Sequence, residues 1–151
     1  MDAEKINALV RNLPNFGGIF DAGQLDGVKI LALPVMLVVN TNSHWLGIYI
    51  DISTIEIMDS LGELQKSMES KELCRFVCAH LLGKKFLSTP QLQSETSDEC
   101  GKYAVAFLWY RALTDKSLLD FASIFDKNFA NNSVKISKIF ATVTSISNMQ
   151  K

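Results

Sequence analysis

The sequence has 151 residues, of which 48% are hydrophobic and 21% are charged, so it predicts one globular domain over residues 1–151 and excludes a disordered chain. A net charge of −1 gives no direct support to nucleic-acid binding, although scattered lysines could still form a local basic patch. The longest apolar run, residues 30–39, contains Pro34 and is about half as long as a membrane span, so we expect no membrane segment.

The first half of the chain predicts one helix followed by three strands. Apolar residues at spacings of three and four predict a short helix over residues 3–13, which Pro14 ends. A glycine-rich stretch comes next. Runs of β-branched and apolar residues then predict strands over residues 34–40, 45–50 and 54–58, with a hairpin-like turn between the last two.

The second half of the chain is mostly helical in pattern. Helices are predicted over residues 63–82, from Cys100 to about residue 113, and over residues 117–126 and 133–147. A short strand that Pro90 breaks is predicted at residues 86–92. Helices that precede, interrupt and follow a small sheet indicate an α+β protein.

Cys100 stands between a polar loop, residues 94–99, and the apolar helix that it begins. The unpaired N–H groups of a helix N-terminus favour thiolate over thiol, and Gly101 leaves room for a substrate backbone beside the sulfur. A buried structural cysteine is the alternative interpretation. Cys100 is therefore a candidate nucleophile.

Only one of the two histidines lies among polar residues. His80 falls inside a predicted helix, where we expect a packing or surface role. His44 lies at the mouth of a strand; it is a candidate general base, or else a loop residue that caps the strand. If the strands on either side of the turn pair, His44 and Asp59 lie side by side, and the carboxylate could orient the imidazole. A turn-opening aspartate is the alternative for Asp59.

A possible oxyanion donor lies close to the candidate nucleophile in sequence. Gln93 precedes Cys100 by seven residues. Acyl transfer needs N–H groups aimed at the developing oxyanion, and the Gln93 amide with the Cys100 backbone N–H would supply two. Taken alone, Gln93 is equally compatible with an ordinary loop residue.

In the order His, Asp, Gln, Cys, these residues resemble the adenovirus-type cysteine protease (adenain) family, which shares a clan with the SUMO-specific and other ubiquitin-like proteases. Residues 44–46, His-Trp-Leu, resemble the family's His-Trp motif, and residues 58–62 resemble its turn from an acidic residue to glycine. Gln93 and the pair Cys100-Gly101 resemble its oxyanion-hole glutamine and its nucleophile pair. Residues 16–21 and 39–41 also resemble segments of the adenoviral branch.

The resemblance implies a papain-like fold, in which a small, mostly antiparallel sheet packs against the helix that begins at Cys100. It implies a cysteine endopeptidase in which His44 takes the Cys100 proton, Asp59 orients His44, and Gln93 helps to hold the oxyanion. It further implies substrates that are viral or virus-like precursor proteins, cleaved during virion maturation. This chemistry requires no metal or other cofactor.

Two features depart from the adenoviral pattern. The adenoviral enzymes usually carry Glu at the position of Asp59, whereas Asp is typical of ubiquitin-like proteases. Their activating viral peptide forms a disulfide with a cysteine for which the chain has no clear match, because Cys74 and Cys78 lie in a predicted helix and are compatible with simple packing. A peptide or DNA activator is therefore implied by the resemblance alone.

The odd number of cysteines, three, and a charged, amphipathic N-terminal segment predict an intracellular protein in a reducing compartment. For a virus-like enzyme this is the host nucleus or cytoplasm, with packaging in the virion as a further option. Two other functions stay open: a protease for ubiquitin or a ubiquitin-like modifier, and a non-catalytic interaction module that keeps the fold.

Overall fold

The computed structural model describes residues 1–151 as a five-stranded sheet with helices on both faces. The strands are β1 (Phe16–Asp21), β2 (Val35–Thr41), β3 (His44–Ile50), β4 (Thr54–Met58) and β5 (Lys85–Ser88). The helices are α1 (Ala3–Val10), α2 (Leu64–Ser67), α3 (Lys71–Leu81), α4 (Cys100–Leu113), α5 (Leu118–Ala122) and α6 (Phe129–Met149), and a 3₁₀ turn covers Ala22–Gly27.

The strands follow one another across the sheet in chain order. The two central pairings, β2 with β3 and β3 with β4, are antiparallel, and Ile48 of β3 lies between Leu37 and Ile57. The two outer pairings, β1 with β2 and β4 with β5, are parallel. Parallel neighbours need a crossover connection, which the segment with the 3₁₀ turn supplies between β1 and β2, and α2 with α3 between β4 and β5. Both connections pack on the same face of the sheet.

Successive side chains of the central strands point to opposite faces of the sheet, so the core consists of two clusters. Trp45 packs in the cluster that contains α1, α4, α5 and α6, whereas its neighbour Leu46 packs in the cluster that contains α3. Helix α4 comes very close to β3 at Gly47, where an added Cβ would lie 3.0 Å from the Ala104 carbonyl oxygen. This close approach fixes α4, and hence its first residue, Cys100, against the central strand.

The predicted α+β class and papain-like fold are confirmed, and several elements match closely. The strand predicted at residues 54–58 and the helix predicted from Cys100 have the observed bounds. The glycine-rich stretch, however, contains β1, which the sequence pattern did not predict. The helix predicted over residues 63–82 is two helices, because the Ser70 side chain accepts the Leu73 N–H and starts α3 anew.

The remaining differences are at the ends of elements. Helix α1 stops at Val10 rather than at residue 13, and α6 begins at Phe129, where Asn128 caps it through the Asn131 N–H. None of these helices has both the length and the apolar character that crossing a lipid bilayer requires.

Candidate active site

The turn between β2 and β3 and the end of β4 bring His44 and Asp59 together. Asn42 and Ser43 take positive φ angles of 49° and 66° in this tight turn, and His44 is the first residue of β3. Antiparallel pairing places the end of β4 beside the start of β3. The His44 Nε2 atom lies 2.7 Å from Asp59 Oδ1, so the juxtaposition expected from a hairpin is present.

Asp59 is completely buried and rigidly held. Its backbone N–H donates to the Thr89 hydroxyl at 3.1 Å, and that hydroxyl donates in turn to the Asp59 carbonyl oxygen at 2.5 Å. The turn that follows ends at Gly62, whose φ is 64° and whose missing Cβ would lie 2.5 Å from the Gln91 nitrogen. The carboxylate is therefore fixed behind His44, and it does not line the cleft itself.

Cys100 is the first residue of α4 and retains only 8% of its surface exposed. The His44 imidazole and the backbone N–H groups of Trp45 and Gly101 lie near its sulfur and favour the thiolate. The second ring nitrogen of His44, Nδ1, is buried and makes no hydrogen bond. His44 thus lies between the carboxylate and the thiol.

The pKa shifts of the two groups favour an ion pair. Burial lowers the pKa of His44, but the hydrogen bonds and charges of Asp59 and Cys100 outweigh it and raise that pKa to about 9. Burial raises the pKa of Cys100, but His44 and the Trp45 N–H outweigh it, and the net shift is downward. Both shifts therefore favour transfer of the proton from the thiol to the imidazole, toward a thiolate beside an imidazolium.

Gln93 lines the same cleft as His44 and Cys100, and only 2% of its surface is exposed. Its side-chain oxygen accepts the Ser60 hydroxyl at 2.6 Å, and its Nε2 donates to the Ser97 carbonyl oxygen at 3.0 Å. An amide nitrogen carries two hydrogens, so one N–H remains uncommitted. Neither contact could be predicted from the sequence.

The cleft beside Cys100 has a volume of about 800 Å³ and an acidic lining. Five carboxylates and one lysine line it: Glu63, Glu69, Glu72, Glu95, Asp98 and Lys66. Met1 also lines it and lies over Gly101, where an added Cβ would be 3.1 Å from the Met1 Cβ. The Trp45 indole N–H donates to the Met1 carbonyl oxygen at 2.8 Å.

The other residues that the sequence singled out lie outside this cleft. His80 belongs to α3, where its Nδ1 pairs with the Phe76 carbonyl oxygen at 2.7 Å and its ring packs on the Phe76 ring. Cys74 and Cys78 are free thiols on the same helix, the first half-buried and the second exposed. The chain contains no cluster of three or more His, Cys, Asp or Glu residues suited to a metal ion.

Residues 21–139 match the model of the Ulp1 protease family, C-terminal catalytic domain. This segment is more than half of the chain, and it contains His44, Asp59, Gln93 and Cys100. No curated protein sequence is significantly similar to the chain.

Solved structures share the fold at low sequence identity. The central domain of an uncharacterized protein from Legionella pneumophila aligns with a TM-score of 0.53 at 11% identity, covering 95% of this chain and 98% of that domain. ChlaDub1 from Chlamydia trachomatis aligns at 0.50 and 14% identity, covering 97% and 79%. The SUMO protease Ulp1 aligns at 0.49 and 18% identity, covering 96% and 75%.

Proposed function

The chain belongs to the Ulp1 protease family, and we propose that it releases a ubiquitin-like modifier by hydrolysing the bond after a C-terminal glycine. Family membership confirms the predicted cysteine peptidase, which acts on a protein substrate. The observation that carries the proposal is the His44 imidazole, placed 2.7 Å from the buried Asp59 carboxylate and beside Cys100 at the start of α4. The family is named for Ulp1, a SUMO protease.

In the proposed mechanism the Cys100 thiolate attacks the scissile carbonyl carbon, and the carbonyl π electrons move onto oxygen. The free N–H of Gln93 and the backbone N–H of Cys100 stabilise that oxyanion. As the oxyanion collapses, the C–N bond breaks and the His44 imidazolium gives its proton to the leaving amine. A water then attacks the thioester, neutral His44 takes its proton, and the thiolate leaves.

The space beside the nucleophile favours glycine at the cleavage site. Met1 and Trp45 fill the volume next to Gly101, where an added Cβ would lie 3.1 Å from the Met1 Cβ and 3.5 Å from the Trp45 Cδ1 atom. Because Met1 and Trp45 also line the cleft, they narrow it beside Cys100, and we expect a small substrate residue there. Glycine-ended tails of ubiquitin-like modifiers meet that requirement.

The charge of the cleft favours a basic tail before the glycine. Glu69, Glu95 and Asp98 form no ion pair within the chain and are exposed on the cleft lining. Unpaired carboxylates attract cationic side chains and repel acidic ones. Among modifiers, those with basic residues in the tail are therefore expected to be the better substrates.

A panel of linear fusions tests the proposal. Each fusion joins ubiquitin or a ubiquitin-like modifier to a reporter through its terminal glycine, with matched fusions in which that glycine is alanine, and with Cys100→Ala as the inactive enzyme. We expect cleavage of at least one glycine fusion and at least tenfold slower cleavage of its alanine partner. Cleavage of short glycine-containing peptides alone, or of no substrate in the panel, contradicts the proposal.

A second candidate is a maturation protease for viral or virus-like precursors. The seven-residue interval from Gln93 to Cys100 and the segment at residues 16–21, which forms β1, favour it through their resemblance to adenoviral enzymes. Asp59 in place of Glu favours the modifier protease instead. Cleavage of a glycine-containing precursor peptide at a rate that a folded modifier does not improve would favour the second candidate.

A further inference from the structure

Ser60 is a buried polar residue to which the mechanism above gives no role. It is 1% exposed and directly follows Asp59. Its hydroxyl donates to the Gln93 side-chain oxygen at 2.6 Å. Its carbonyl oxygen accepts the backbone N–H groups of Leu92 at 2.8 Å and of Gln93 at 3.1 Å. Three hydrogen bonds therefore join Ser60 to the segment that carries the proposed oxyanion donor.

The two polar ends of the Gln93 side chain have different partners. The Ser97 carbonyl oxygen can only accept, so it must face the amide nitrogen, and it does so at 3.0 Å. The amide oxygen then faces Ser60, whose hydroxyl can donate. If the Gln93 amide were flipped by 180°, its oxygen would face the Ser97 carbonyl oxygen, and these two acceptors could form no hydrogen bond. With both ends held, the second N–H of Gln93 has one fixed direction.

We propose that Ser60 is a positioning residue of the oxyanion hole, because its hydroxyl holds the Gln93 amide with its free N–H turned toward the substrate carbonyl. This inference rests on the proposed function only in taking Gln93 as an oxyanion donor. It gives the turn after β4 two roles in consecutive residues: Asp59 orients the base, and Ser60 orients the donor. A displacement of that turn disturbs both at once.

The test compares Ser60→Ala with Ser88→Ala. Ser88 lies in β5 of the same sheet, and its buried hydroxyl has no hydrogen-bond partner, so its loss controls for the removal of a buried oxygen. The substrate is the 4-nitrophenyl ester of acetyl-glycyl-glycine, which needs the nucleophile and the oxyanion hole but no modifier. We expect Ser60→Ala to lower kcat about tenfold to a hundredfold with KM unchanged, less than the loss of an oxyanion donor itself. Ser88→Ala is expected to keep the kcat of the wild-type enzyme.

Two further measurements separate positioning from general damage. Alkylation of Cys100 by iodoacetamide forms no oxyanion, so its rate is expected to be unchanged in Ser60→Ala. In a Gln93→Ala background, Ser60→Ala is expected to lower kcat no further, because the group that it positions is absent. Equal losses of kcat with and without Gln93, a parallel fall in the alkylation rate, or an unchanged kcat would each overturn the inference.

A second variant of Ser60 distinguishes a folding defect from a loss of catalysis. If Ser60→Ala does not fold, Ser60→Cys replaces the hydroxyl by a thiol of similar size and weaker donor strength, and a wild-type kcat in that variant overturns the inference. The ester also separates the two proposals. If wild type hydrolyses the ester but no modifier fusion, only the proposed substrate fails. If it cleaves a fusion while Ser60→Ala has full activity, only the role of Ser60 fails.

Discussion

The two ends of α4 carry similar arrangements of charge with different consequences. At its N-terminal end, Cys100 meets His44 of β3, and Asp59 just after β4. At its C-terminal end, Arg111 meets Tyr49 of β3 and Glu56 of β4. Both carboxylates are completely buried; Asp59 directly follows β4, whereas Glu56 lies in the middle of β4, opposite Tyr49.

The partner of each carboxylate makes the difference. The Arg111 Nε atom lies 3.0 Å from Glu56 Oε1, its guanidinium lies 3.9 Å from the centre of the Tyr49 ring, and the Leu118 N–H donates to the same carboxylate. Burial raises the pKa of Glu56, against the opposing effects of Leu118 and Arg111. Arginine keeps its proton at any physiological pH, so this end holds the fold together and exchanges no proton. At the other end, the buried carboxylate lies beside a histidine and a thiol, two groups that can exchange a proton.

The largest effects are expected from the groups that react. Cys100→Ala and His44→Ala should lower turnover by about a millionfold, as loss of a nucleophile or its base does in other enzymes, without unfolding the protein. Cys74→Ala is the matched control, since it removes a free thiol from α3. If Cys74→Ala is inactive while Cys100→Ala turns over normally, the nucleophile has been assigned to the wrong helix.

Substitutions of Asp59 and Glu56 test the difference between the two ends of α4 most directly. Asp59→Asn should lower kcat about 10⁴-fold and leave residual activity, because the imidazole loses the carboxylate that orients it. Glu56→Ala should instead destabilise the protein by up to about 3–5 kcal/mol, since it removes the nearer carboxylate partner of the buried Arg111 and leaves only Asp51, at 3.8 Å. Its folded fraction should keep the kcat of wild type. Denaturant unfolding measures the stability of each variant, and active-site titration gives kcat for its folded fraction. If both variants lose kcat, or both lose only stability, the two ends of α4 do not differ in role.

Gln93 is expected to contribute to turnover but not to the reactivity of the thiol. Gln93→Ala should lower kcat about a hundredfold to a thousandfold, because one oxyanion donor is lost, and leave alkylation of Cys100 unchanged. Gln91→Ala is the comparison: its Nε2 donates to the Gln93 carbonyl oxygen at 3.0 Å, so a small loss is expected through that support alone. A larger loss in Gln91→Ala than in Gln93→Ala would assign the donor to the wrong glutamine.

How far the sequence predicts this site depends on the range of its contacts. His44 and Asp59 were expected to meet because the two flanking strands are joined by a short turn, which is a local feature. Ser60 and Thr89 could not be assigned, since their partners lie about thirty residues away in sequence, across the sheet. Likewise β1 contains Gly17 and Gly18 and pairs in parallel with β2, so neither its composition nor its neighbours in sequence indicate a strand.

The pH dependence of kcat/KM should follow the titration of Cys100 and His44, which meet at the N-terminal end of α4. In the proposed mechanism, turnover needs the Cys100 thiolate, whose pKa lies below its usual value, and the His44 imidazolium, whose pKa is about 9. As pH falls through the Cys100 pKa, the thiolate is protonated and kcat/KM declines. As pH rises above about 9, the imidazolium loses the proton that the leaving amine needs, and kcat/KM should fall about tenfold per pH unit. An alkaline limb whose midpoint lies far from pH 9 would show that another group titrates.

The smallest expected effect concerns the acidic cleft lining. Glu95 and Asp98 lie in the loop that leads to Cys100, are exposed, and pair with no cation in the chain. Exposed ion pairs contribute about 0.2–1 kcal/mol each, so Glu95→Gln with Asp98→Asn should raise KM for a basic glycine-ended tail about two- to thirtyfold. The effect should shrink in high salt, because exposed charges are screened. Asp115→Asn removes an exposed carboxylate outside the cleft and is expected to leave KM unchanged. If the cleft variant binds acidic and basic tails as wild type does, the lining does not select the substrate, and selection depends on the glycine alone.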